Sequence, residues 1–240
     1  MGDHARRVLG FSLPFLTVEH LSSVRNLSIP RKTIVLNTSE NEVRVAGRVL
    51  RPWNSSIYSE CTVVQADSLI CMTLEADFFS CDPLRYGPEL RDNWVHVHDV
   101  SPERHSKAIK LWKSSKDRVN SIEFNLWFAM SGTHCGIHRT HDFRELHTQV
   151  FGLGRMQKFH RDTYDSLYQQ VFMGPGYTHE SFYDDEGLYP WHQYYADTDC
   201  IWLACELYDR QVTRLEVPPS EQAVDSPGYD GKAPTYGKLS

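Results

Sequence analysis

The chain has 240 residues, 40% of them hydrophobic and 23% charged, with a formal net charge of -6 and a pI near 6.0. That composition suits one globular unit and excludes collagen-like, coiled-coil and disordered classes. Basic residues are scattered rather than clustered against phosphates, which excludes a nucleic-acid footprint. No apolar run reaches the ~18 residues of a membrane span.

In chain order, residues 1 to about 30 read as an irregular or partly helical arm. Its start, broken by Pro14 and lacking a small-residue cleavage site, is not read as a signal peptide. From Lys32 short strand-like runs follow: KTIVLN, EVRVAGRVL, a weaker SSIYSE, CTVVQA and LICMTLEA, with Ser39, Glu40 and Asn41 as a turn between the first two. Ser101, Pro102 and Glu103 make a capped helix start, so a helix is expected over about 102–117. The segment Lys110 to Lys116, the densest basic stretch, then reads as its solvated face. IEFNLWFAM returns to strand character. The expected division is an N-terminal β-rich extension over 1–120, a core over 121–216 and a loose tail over 217–240. The six cysteines (Cys61, Cys71, Cys81, Cys135, Cys200 and Cys205) form no CxxC pair, as in reduced cytoplasmic thiols.

Chemistry concentrates between His134 and His192, which hold seven of the twelve histidines: 134, 138, 141, 147, 160, 179 and 192. In GIHRTHDFRELHTQVFGLGRMQKF, Glu145 follows His141 after three residues and Gly152 follows Glu145 after six. HTQVF reads as a strand, Gly152 and Gly154 as a turn, and RMQKF as the next strand. His138 and His141 stand three apart, on opposite faces of a regular strand unless a bulge intervenes. His147 shares the face of Glu145 two residues away. Cys135 lies near two histidines, but nothing in the sequence fixes a base for it. His96 and His98 share a strand face and are read as structural.

The spacing from His141 to Gly152 resembles the first motif of the cupin superfamily. A later ligand in that family comes from a second motif, for which PGYTH (His179) and YPWHQYYADTDCIWLACEL (His192) compete; the second resembles the family's ending better. The resemblance implies a mainly β fold, a double-stranded β-helix barrel with an N-terminal antiparallel extension and one or two short helices. It implies metal ligands among His138, His141, Glu145 and His192, with the last position open between His138 and His147. Lumen positions imply His147 and Tyr194 for proton handling, and Gln149, Arg155, Gln157 and His179 for substrate contact. Two histidines plus a carboxylate suit Fe(II), with Zn, Mn or Ni as alternatives. The implied function is a mononuclear Fe(II) oxygenase acting on a small polar organic substrate. A metal-assisted isomerase or lyase and a non-catalytic binding cupin are the alternatives. The resemblance also implies a homodimer through edge strands, sought in Lys32 to Glu75.

Overall fold

Hydrophobic residues that recur every third position, rather than every second, shape the first part of the chain. The computed structural model describes residues 4–75, 94–97, 110–139, 143–179 and 189–208. Its first sheet holds β1 (Ala5–Val8), β2 (Leu16–Ile29), β3 (Thr33–Asn37), β4 (Val43–Val45), β5 (Arg48–Leu50), β6 (Ser55–Tyr58) and β7 (Cys61–Leu74). The long strands β2 and β7 pair antiparallel from Leu16↔Leu74 to Ile29↔Cys61. Along β2 the buried positions Leu21, Val24 and Leu27 are three apart, each directly opposite Leu69, Ala66 or Val63. Ser23 (φ 53°) and Asn26 (φ 51°) take left-handed conformations between them. Those two residues absorb the extra position and keep the apolar set on one side of the sheet. The arm expected over residues 1 to 30 is therefore strand over its described part, because cross-strand pairing outweighs a period that looks helical in one dimension.

A second correction falls on EVRVAGRVL. It is a hairpin, β4 to β5, turning at Ala46 (φ 48°) and Gly47 (φ 74°). Two consecutive positive φ angles give the tight turn whose twist matches antiparallel strands. CTVVQA and LICMTLEA in turn form the single strand β7.

The second half contributes β8 (Val95–His96), β9 (Leu111–Lys113), β10 (Asp117–Val119), β11 (Ile122–Ala129), β12 (Arg144–Phe151), β13 (Gly154–Phe159), β14 (Leu167–Met173), β15 (Thr178–His179), β16 (Trp191–Ala196) and β17 (Cys200–Leu207). One sheet runs β15-β12-β17-β11-β9-β8, with β10 on β11, and the other runs β14-β13-β16. From β12 to β17 the chain steps between the two sheets: β12 in the larger, β13 and β14 in the smaller, β15 back, β16 across, β17 back. Met156, Tyr194 and Ala196 of the smaller sheet share an apolar cluster with Ala129, Cys200 and Trp202 of the larger. Antiparallel strands that alternate between two facing sheets are the winding of a double-stranded β-helix, so the mainly β class expected from the sequence is what the chain adopts.

The helix expected over about 102–117 does not form in its described part, where Leu111–Lys113 and the start of β10 are strand. Leu111 and Trp112 point to opposite faces and both are buried, Leu111 toward the small sheet and Trp112 against Phe128 at 5.7 Å. A strand buries adjacent residues on two layers at once, and a short helix cannot. Among the described residues the helical content is one 3-10 turn, Tyr164–Ser166, and no helix is long and apolar enough to cross a membrane. Residues 102–109 and the tail over 217–240 lie outside the described residues. Strands β8 to β10, part of the extension by sequence, belong to the larger barrel sheet.

The larger sheet is covered on both sides. Leu146, Val150, Ile201, Leu203, Cys205, Phe124 and Leu126 pack against Leu16, Val18, Ile34, Ile70 and Met72 of the first sheet. Ser55 Oγ, Thr178 Oγ1 and Thr148 Oγ1 form a short hydroxyl chain across the same junction, at 2.6 and 2.8 Å. Between β12 and β13 Gly152 (φ +74°) makes the turn read from the sequence, and a Cβ there would stand 2.0 Å from the Asp199 carbonyl oxygen. Gly152→Ala is expected to cost well over about 1 kcal/mol, through the strained φ and the clash. Leu203→Ala, at a position that is 0% exposed, is expected to cost about 2–5 kcal/mol through the cavity left in the junction. Denaturant unfolding of each variant checks both.

Candidate functional site

Strand register decides which side chains enter the barrel. On the paired strands β12 and β17, Glu145 is opposite Glu206, His147 opposite Ala204 and Gln149 opposite Trp202. Strand β15 adds His179 directly opposite His147. These residues share the face that meets the small sheet, since directly opposite residues lie on one side of the pleat. From the small sheet, Met156 and Tyr194 are register partners on the facing side. His138 joins through an isolated bridge: its N–H donates to the His192 carbonyl at 3.0 Å, and the His192 N–H donates back at 2.9 Å. The His138 and His192 ring centres are 4.3 Å apart.

Two histidines have their tautomers set by the backbone. His138 Nδ1 lies 2.9 Å from the Gly136 carbonyl oxygen, and His192 Nδ1 lies 3.0 Å from that of Pro190. A carbonyl only accepts, so Nδ1 carries the hydrogen in each ring and Nε2 is left as the exchangeable position. Burial works against charge on His138. The hydrogen bond and charge of Cys135, the Gly136 carbonyl and the charge of Glu145 outweigh it and raise the pKa to about 9. A metal at Nε2 would take the place of a proton there.

Glu145 and His147 form a buried pair, Oε1 to Nε2 at 3.1 Å, with both residues under a tenth exposed. Tyr194 donates its hydroxyl to Gln149 Oε1 at 2.6 Å and stacks on Trp202 at 4.1 Å. Burial, with smaller contributions from Cys200, raises its pKa, so the phenol stays protonated. Gln149 spends its amide on Phe151 O (2.7 Å) and Gly152 O (3.2 Å).

The expected site therefore assembles unevenly. Glu145, His147, His179 and His192 all lie buried on lumen-facing strands, with His138 held against His192. His141 lies outside the described residues. Among the described residues no group of three or more His, Cys, Asp or Glu side chains gathers as a metal site would. Gln149 braces the turn instead of facing substrate, because both ends of its amide are used. Arg155 and Gln157 are turned away from the lumen. Met156 between them points inward, and strand alternation places its neighbours on the outer face. Arg155 is instead bidentate on Asp197, at 2.9 and 2.6 Å, and Gln157 bonds Gln170 and Gln193.

Two residues with no role in the sequence reading stand at the site. Cys135 Sγ accepts from the Tyr194 N–H at 3.1 Å and contacts His138. The signal available was its position three before His138. Glu206 is 4% exposed at the end of β17 and bonds Lys116 and Tyr208 Oη, the latter at 2.9 Å. Counting by two back to Trp202 would have placed it on the lumen face.

The class these elements define is a double-stranded β-helix barrel with a polar, histidine-bearing lumen. The solved structures it is similar to include a cupin superfamily protein from Desulfitobacterium hafniense, at 9% identity, covering 48% of this chain and 98% of that one with a TM-score of 0.33. A mutant of Bacillus subtilis oxalate decarboxylase is 14% identical over 87% of this chain and 75% of its own, with a TM-score of 0.34. A cupin 2 conserved barrel domain protein from Leptotrichia buccalis is 8% identical over 85% and 89%, with a TM-score of 0.32. No family model and no curated protein matches the sequence. Overlaps of this depth carry no conclusion about function, which has to rest on the lumen side chains.

Burial also acts on three thiols in different layers: Cys71 within the first sheet, Cys205 in the junction and Cys200 at the lumen. It pushes Cys71 up to about 12 from 9.0 and raises Cys200 and Cys205 as well. The folded chain then keeps thiol protons that the unfolded chain releases above pH 9. Stability from these groups is complete below that pH and falls as pH rises toward 12, by about 1.4 kcal/mol per pH unit for each fully shifted thiol. Denaturant midpoints measured across that range are expected to fall, and Cys71→Ser is expected to make the fall shallower.

Proposed function

We propose that the barrel is a metal-dependent enzyme for a small polar organic substrate, a mononuclear Fe(II) oxygenase before a Zn, Mn or Ni isomerase or lyase. The observation that carries the reading is the His138–His192 pair. Both imidazoles have Nδ1 committed to a backbone carbonyl two residues earlier, which is how proteins fix a ring so that Nε2 can ligate. The donor set fits the group in kind: two such imidazoles, with the buried carboxylate of Glu145 near enough to raise the His138 pKa. His141, in the segment between His138 and Glu145, is proposed as the further ligand.

A metal held by His138, His141, Glu145 and His192 supplies oxygen activation if it is Fe(II), or Lewis acidity if it is a redox-inert ion. The chain's own residues supply the rest. Glu145 holds the His147 ring at 3.1 Å, and His147 in that position at the lumen wall is the candidate for proton handling. His179, directly opposite on β15, is the candidate contact for a polar substrate group. The Tyr194–Trp202 stack forms part of the buried apolar cluster between the two barrel sheets.

The test is metal analysis of the purified full chain. About one ion per chain is expected, with a thermal midpoint that drops on chelation. His192→Ala and Glu145→Gln are expected to lower metal affinity by at least about tenfold to a hundredfold, the range seen even for residues one layer removed from the metal. A chain that binds no divalent metal, and whose midpoint does not respond to chelator, contradicts the reading. If metal is bound, oxygen uptake in a substrate screen separates an oxygenase from an isomerase or lyase.

A further inference from the structure

Strand β14 ends the small sheet, and among the described residues its one neighbour is β13. Its sequence, LYQQVFM, carries no charge and no proline. Leu167 is 42% exposed, Tyr168 46% and Phe172 70%. Open sheet edges of soluble proteins are generally guarded by a charge, a proline or a covering element, because a row of unpaired backbone groups recruits another strand.

A row of amides crosses this sheet toward that edge. Gln193 on β16 is opposite Gln157 on β13, which is opposite Gln170 on β14. Gln193 Nε2 donates to Gln157 Oε1 at 2.7 Å, and Gln157 Nε2 donates to Gln170 Oε1 at 2.7 Å. Arg155 NH1 adds a second donor to the same Gln170 oxygen at 3.2 Å. Gln193 and Gln157 are buried, while Gln170 is exposed. Every amide hands its hydrogen outward, so the row ends at the edge on Gln170, whose own Nε2 has donors to give.

We infer that β14 pairs antiparallel with β14 of a second copy of this chain, about a two-fold axis through Gln170. In that register Gln170 meets Gln170, Gln169 meets Val171, Tyr168 meets Phe172, and Leu167 meets Met173. The strand is self-complementary: amide falls on amide, and an aromatic ring falls on an aromatic ring at each end. The bulge beside Tyr168 confines the regular ladder to the strand centre and leaves the aromatic pairs to close its two ends. The three-stranded sheet becomes six-stranded, and the amide row doubles in length, each bond polarising the next. The residues Lys32 to Glu75 are not needed for this contact.

Sedimentation of the full chain at increasing micromolar concentration tests the inference. A reversible dimer is expected. Gln170→Lys sets two like charges against each other on the axis and is expected to weaken association by about tenfold or more, with the circular dichroism of the monomer unchanged. Gln170→Cys provides an independent reading, since directly opposite Cβ atoms in such a pair lie about 4.5–5.5 Å apart, close enough for a disulfide after small adjustment. Oxidation is expected to yield a covalent dimer of that variant and none of the unsubstituted chain or of Val64→Cys, an exposed control on the first sheet. A chain that stays monomeric throughout, or a dimer that Gln170→Lys leaves intact with no disulfide at Gln170→Cys, overturns the inference.

Discussion

Strands β12 and β17 lie in the middle of a sheet that is covered on both sides, and the rest of the molecule depends on their alternation. All eight residues of β17, and six of the eight in β12, are buried. Odd positions of β12, such as Glu145, His147 and Gln149, enter the lumen, and even ones, such as Leu146 and Val150, join the apolar junction with the first sheet. A slip of one residue would drive the carboxylates and imidazoles into a layer of Leu, Ile and Phe and would leave the lumen apolar. Burying unpaired charge in such a layer costs several kcal/mol per group, so the register is held tightly. The first sheet is thus more than an appendage: by covering the outer face of β12 and β17 it fixes which side chains face inward.

The polar lumen is tolerable because its groups are paired. Glu145 has His147, Glu206 has Lys116 and Tyr208, Tyr194 has Gln149, and each of His138 and His192 has a carbonyl. These bonds do structural work and prepare chemistry together, since a ring whose Nδ1 is anchored presents Nε2 in a fixed direction. They also separate the histidines into those tied to the backbone, His138 and His192, and the one tied to a carboxylate, His147. The proposed function assigns ligation to the first two and proton handling to the third.

Much of the barrel was legible in the sequence wherever strand periodicity was regular. The strand through Glu145 and His147, the turn at Gly152 and the last apolar strand all appear where the residues place them. The first thirty residues were not legible, because the buried positions Leu21, Val24 and Leu27 repeat every third residue and only the left-handed Ser23 and Asn26 reconcile that spacing with a strand. The helix expected after Ser101 fails in its described part for a tertiary reason: Leu111 and Trp112 are claimed by two different layers. On β13 the expected lumen positions were Arg155 and Gln157, and close packing sets the opposite phase. A Cβ on Gly154 would lie 2.0 Å from the Tyr194 hydroxyl, so Gly154 sits beneath Tyr194 on the lumen face and Met156 follows it there. That leaves Arg155 and Gln157 on the outer face. Cys135 meets His138 from three residues earlier in the chain, and its Sγ also accepts from the Tyr194 N–H.

Crystals of the full chain grown with Fe(II) or another divalent metal, and measured at that metal's absorption edge, test the central claim most directly. An anomalous peak within coordinating distance of the His138 and His192 Nε2 atoms and the Glu145 carboxylate is the predicted result. A peak confined to the protein surface, or a lumen without anomalous signal in crystals saturated with metal, would contradict it.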